Sequence, residues 1–160
     1  MRVLGFVLSM ALVSVPAFGD DVPFAAPHSE RAQQANESYV GTLSDIMGLT
    51  QLRHIKLWYA GRARNWSLTN FEIGQIEETF GKAAMLYRNI PVEFIASVEK
   101  PLDALRKAAA AKDAGLFDKA FADLNNECNN CHRAAQVGFI KIQTPTSSPF
   151  TDQQFDGVHE

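Results

Sequence analysis

Residues 114 to 135 read Ala-Gly-Leu-Phe-Asp-Lys-Ala-Phe-Ala-Asp-Leu-Asn-Asn-Glu-Cys-Asn-Asn-Cys-His-Arg-Ala-Ala. Phe117, Phe121, Leu124, Cys128, Cys131 and Ala135 recur at alternating steps of four and three, the spacing that puts side chains on one seam of a helix facing other helices. The stretch therefore predicts a bundle helix from about Ala114 to Ala135, with Asp113 as its N-cap and Gly138 ending it. Both cysteines fall on the seam that faces the core.

Cys128, Cys131 and His132 form C-x-x-C-H, the attachment signature of a c-type haem: two thiols add across the haem vinyls and the imidazole ligates the iron. On a helix Cys128 and Cys131 are i and i+3, so their sulfurs emerge together, and His132 lies one turn from Cys128 on the adjoining face. The chain has two cysteines in all, and both are in this pentapeptide. A structural zinc ion would need four ligands, and no second Cys/His pair has a suitable spacing. A thioredoxin-type C-x-x-C belongs at a strand-to-helix junction, and no strand pattern precedes Asn126. A plain disulfide is the simplest alternative to one covalent haem c.

At the other end, Arg2 precedes an apolar run from Val3 to Phe18 and then Ala17-Phe18-Gly19 before Asp20-Asp21. This pattern predicts a signal peptide over 1–19 cut after Gly19, with an uncleaved anchor as the alternative. Covalent haem attachment by the bacterial route takes place outside the cytoplasmic membrane, so the export signal and the motif point together to a periplasmic protein without a stable membrane span. Removing 19 of 160 residues leaves 141, enough for one domain. The remaining 14 Lys and Arg against 18 Asp and Glu give −4, which argues against nucleic acid as a partner.

Residues 20–37, with Pro23, Pro27 and His28, read as a flexible arm. The bundle domain is expected over 38–138. Its first helix, about Ser38 to Arg64, carries Leu43, Met47, Thr50, His54, Leu57 and Trp58 on one stripe; Gly41, Gly48 and Gly61 there point to close approach, and Gly48 beside Met47 would admit a flat ligand. Asn65 caps a second helix, Trp66 to Tyr87, with Phe71, Ile73, Ile76, Phe80, Ala83, Ala84 and Tyr87 inward and Glu72, Glu77 and Glu78 in water. Asn89-Ile90-Pro91 ends it. Pro101 predicts a break: a short helix at Val92 to Val98, then a main helix with Pro101 in its first turn. Lys56 is expected to face solvent or a propionate, and Trp66 to close the end of the bundle. The fold class is thus all-α, an antiparallel four-helix bundle with haem on the last helix. Residues 139–160, with Pro145 and Pro149, form an extended C-terminal tail too apolar for a free linker. It packs back on its own domain, covers a haem edge or docks a partner.

A haem motif at the end of the last of four helices resembles the class II, cytochrome c′-like proteins. The wider chain is closer to a group of bacterial c-type cytochromes with a stretch like Leu52-Arg53-His54-Ile55-Lys56-Leu57-Trp58, then Asn65-Trp66, then Cys128-Asn129-Asn130-Cys131-His132, and a Ser148-Pro149-Phe150 tail ending in Gln154-Phe155. The resemblance covers about Gly41 to Phe155. It implies thioethers at Cys128 and Cys131 and His132 as the proximal iron ligand. The long tail departs from ordinary cytochrome c′, so an open, gas-binding iron does not carry over with it.

The expected function is a periplasmic electron-transfer cytochrome passing single electrons to redox partner proteins, not an enzyme, and a homodimer is compatible with it. The alternative is a five-coordinate haem protein that binds or senses NO or CO. A peroxidase would need a distal His with a catalytic partner, and His54 with Arg53 are adjacent residues that diverge on a helix. The sixth ligand decides between the first two. Counting along antiparallel first and last helices, His132 lies 17 residues beyond Gly115, which matches residue 48, counted back from Asn65. Met47 is one residue from that level, whereas His54, the alternative distal ligand, is displaced by about 9 Å along the axis.

Overall fold

The computed structural model describes residues 41–87, 90 and 92–157. The expected signal peptide, the arm with His28, the first residues of the expected first helix, Asn89, Pro91 and His159 lie outside them. Within this range there are four helices and no strand: α1 Leu43–Arg62, α2 Trp66–Leu86, α3 Val92–Ala111 and α4 Ala114–Ala134. No helix among the described residues is long and apolar enough to cross a membrane.

Side chains set the helix starts. Thr42 and Asp45 form a capping box on α1, with the Asp45 carboxylate accepting from the Thr42 backbone at 2.7 Å. Asn65 caps α2 through Leu68 N–H, and Asp113 caps α4 through the amides of Gly115 and Leu116. The helix ends are set differently from the expectation. Gly138 does not stop α4; Gln136 turns left-handed at φ 62°, and the Val137 amide reaches back to the His132 carbonyl. Arg64 and Lys112 do the same after α1 and α3, so three Schellman turns form without glycine.

Pro101 does not divide the third helix. α3 runs through it, because Val98, Leu102, Leu105 and Ala108 are buried as one continuous stripe. That burial outweighs the roughly 3 kcal/mol a helix-interior proline costs. α2 is rotated from the expected face. Thr69, Glu72, Ile73, Ile76 and Ala83 turn inward, while Phe71 is 54% exposed and Ala84 is exposed. Glu72 can be inside because Arg53 reaches its carboxylate at 3.4 Å, and the same guanidinium lies over Phe71.

The core joins all four helices around Leu57, Ile73, Leu102, Leu105, Phe117, Phe121 and Leu124. Phe117 is its centre toward the Asn65 end: Trp58 stacks on it and Trp66 meets it edge-on at 6.4 Å, closing this end as expected. Gly61 allows that packing, since a Cβ there would overlap the Phe117 ring. Gly48 has no such neighbour and is exposed, with open space where a side chain would stand. α1 packs on α2, α2 on α3 and α3 on α4, and α1 meets α4 more sparsely than these neighbours meet each other.

Candidate functional site

α4 carries the motif on its last two turns. Phe117, Phe121 and Leu124 of the seam are closed from water; Cys128 and Cys131 are half-buried, with Cys128 packed on the core, and Ala135 is exposed. Neither cysteine is in a disulfide. Burial, followed by the neighbouring Cys131, pushes the Cys128 thiol up to about 12, and burial also raises Cys131. A thioredoxin-type pair needs the opposite shift, a thiolate stabilised near neutrality.

His132 is held from outside the helix. Its Nδ1–H donates to the Ile140 carbonyl at 2.8 Å, which fixes the tautomer and leaves the Nε2 lone pair free. Metal-bound histidines use this arrangement, with the second nitrogen anchored and the first given to the metal. Among the described residues no three His, Cys, Asp or Glu side chains converge as a ligand set for a bare ion. A macrocycle does not require that convergence, because thiols hold its edge and its own ring nitrogens already ligate the metal, leaving the protein only axial ligands to supply.

The end of the bundle that carries the motif is less closed than the other. Leu43, Ile46, Met47, Phe80 and Ile95, at the same end of the bundle as the cysteines, are only half-buried, in contrast to the closed core around Phe117. The Tyr87 hydroxyl, donating to the Gly41 carbonyl, ties α2 to the start of α1 at this end. Beside the motif an open cleft of about 480 Å³ is lined by Asn129, Arg133, Gly138, Lys141, Ile142 and Gln143. Its two cations suit a carboxylate-bearing group.

The two expected distal ligands have different settings. His54 is buried against Phe121, ring centroids 4.5 Å apart, and its Nε2 donates to Asn125 Oδ1 at 2.6 Å. Asn125 Nδ2 in turn donates to Thr144 Oγ1, so its oxygen is the acceptor and His54 carries its proton on Nε2. Burial lowers the His54 pKa, partly opposed by the Asn125 bond. Met47 is half-buried, and Met85 is 77% exposed. The antiparallel pairings His54–Asn125 and Arg62–Asp118 set the register between α1 and α4. His132 lies seven residues beyond Asn125 and Met47 seven before His54, so the two occupy matching levels.

The tail folds back over the α1–α4 side. Thr144 meets Asn125, Ile142 meets Asn129 and Ile140 meets His132; farther on, Lys56 Nζ sits 4.8 Å over the Phe150 ring, and Asn65 Nδ2 donates to the Phe155 carbonyl. Lys56 thus faces the tail rather than solvent. Sequence reasoning missed Asn125, Asn129 and the Ile140 carbonyl. The available signal was Asn125-Asn126 and Asn129-Asn130 inside a helix, where asparagine is a poor former and needs a tertiary partner.

No family model, curated protein or solved structure matches the chain.

Proposed function

We propose that the chain is a c-type cytochrome carrying one haem c on Cys128 and Cys131, with His132 as the proximal ligand, and that it works in the periplasm as a single-electron carrier between partner proteins. The observation that carries this is His132: Nδ1 anchored on the Ile140 carbonyl, Nε2 free, one residue from Cys131 and one turn from Cys128, which packs on the core. The resemblance to the cytochrome c′-like proteins and the expected export signal support it. When bound, the haem supplies a one-electron iron couple. Cys128 and Cys131 hold its edge against α4, the half-buried apolar residues at this end exclude water, and Met47 supplies the distal ligand. His54 is engaged by Asn125, which supports Met47 over it. Held by His132 and Met47, a haem here would supply one-electron chemistry without admitting substrate to its iron.

The test is the purified protein in acidified organic solvent, followed by spectra of both oxidation states. Haem that stays with the chain, is lost in Cys128→Ala and Cys131→Ala, and is low-spin supports the assignment. Haem that leaves the chain overturns covalent attachment. A high-spin protein that binds CO when reduced transfers the assignment to the gas-binding class.

A further inference from the structure

We infer that Asn129, the first variable position of the motif, is a positioning residue for the iron site: its carboxamide clamps the tail at Ile142 and thereby places the Ile140 carbonyl that orients His132. This rests on the haem assignment proposed above.

Asn125, Asn129 and His132 are spaced four and three residues apart and so share one face of α4, beside the cysteine seam. Each meets an alternate residue of the tail, Thr144, Ile142 and Ile140 in turn. An extended segment advances about 6.6 Å in two residues and a helix about 4.5–6 Å in three or four, so the two run side by side in register. The middle contact is the specific one. Asn129 Nδ2 donates to the Ile142 carbonyl at 2.8 Å, and the Ile142 amide donates to Asn129 Oδ1 at 2.8 Å. A carboxamide offers the donor and acceptor of a peptide group, so Asn129 pairs with the tail as a neighbouring strand would. Aspartate can only accept there, and alanine can do neither. Ile140 lies two residues before Ile142, where a turn closed by its own amide on the Val137 carbonyl at 2.8 Å opens into the extended run, so its carbonyl is placed from one side by that turn and from the other by the clamp.

The bond from Nδ1–H to a carbonyl makes the imidazole a stronger donor through Nε2. A stronger donor favours the ferric state, so the clamp holds the reduction potential down, and loosening it moves the potential up. Asn130, the other variable position, hydrogen-bonds among the described residues to Glu127 and Arg133 of its own helix, away from the tail, and serves as the control.

The experiment is spectroelectrochemical titration of the holoprotein and its Asn129→Asp, Asn129→Ala and Asn130→Ala variants, with amide exchange at Ile142 measured alongside. The expected result is a midpoint potential that rises in Asn129→Ala and is unchanged in Asn130→Ala, with exchange at Ile142 accelerated from the unmutated protein through Asn129→Asp to Asn129→Ala. If Asn129→Ala does not fold, Asn129→Leu, neutral and of similar size but unable to donate or accept, must show the upward shift. Faster exchange at Ile142 with an unmoved potential overturns the positioning role and leaves Asn129 a tail fastener only. An unmutated protein that binds no haem overturns the cytochrome assignment itself, and the inference with it.

Discussion

His54 donates its Nε2 proton to Asn125 at 2.6 Å, one helical turn before Cys128, so the buried imidazole joins α1 to α4 beside the motif. The cost of this placement appears at low pH. The folded protein holds His54 neutral because burial lowers its pKa below 6.5, whereas the unfolded chain takes up the proton at 6.5. Below that value the unfolded state binds more protons, so stability is full at neutral pH and declines as pH falls from 6.5 through the lowered folded value. Thermal melting from pH 8 to 5 should show this loss, and His54→Gln should flatten it.

Glu72 should act with the opposite sign. Its carboxyl is raised above 4.5 by burial, against the pull of Arg53 and Lys56, so its ionisation disfavours the fold as pH rises past 4.5. Denaturant titrations at pH 4.5 and 7 should show that Glu72→Gln removes this penalty, leaving the variant relatively better placed against the unmutated protein at pH 7 than at pH 4.5.

Met47 and His54 can be separated by absorption. Met47→Ala should turn a low-spin spectrum high-spin and make the reduced protein reactive toward CO, because Met47 lies at the level of His132. His54→Ala should lower stability and leave the bands in place. If the spin change follows His54→Ala instead, His54 is the ligand and the Asn125 bond is exchanged for iron.

Gly61→Ala should destabilise by about 1–3 kcal/mol, since the new methyl meets the Phe117 ring at the centre of a closed core. Gly48→Ala, with open space around it, should stabilise α1 slightly through helix propensity. Chemical denaturation of the two variants compares them directly.

Lys112 is exposed and left-handed at φ 53° after α3. A side chain in that conformation costs roughly 1–2 kcal/mol, and glycine adopts it freely, so Lys112→Gly should raise the melting temperature despite the added entropy of the unfolded chain.

The four helices were legible because the apolar periodicity and the caps Asn65 and Asp113 agreed. Pro101 and Glu72 misled for a common reason: local rules placed a break at one and solvent at the other, and long-range burial with Arg53 overrode both. Gln136 was hidden, since nothing about glutamine announces a left-handed turn. The helical seam that carries the cysteines and His132 was plain from spacing. What holds His132 was not, because an extended tail bonded through backbone groups leaves no periodicity. Only the asparagines facing it, costly inside a helix, marked where it lay.

The tail's course also sets where the chain tolerates a change of length. From Ile140 to Thr144 it keeps pace with α4, four steps of extended chain, about 13 Å, against the seven helical steps from His132 to Asn125, about 10 Å. There is little slack. From Thr144, level with His54, to Phe155 beside Asn65, it has eleven residues for eleven helical steps, about 36 Å of reach for about 16 Å of travel. One residue inserted among Ser147, Ser148 and Pro149 is absorbed by the bend already there, whereas one inserted at Lys141 puts every later contact with α4 out of phase.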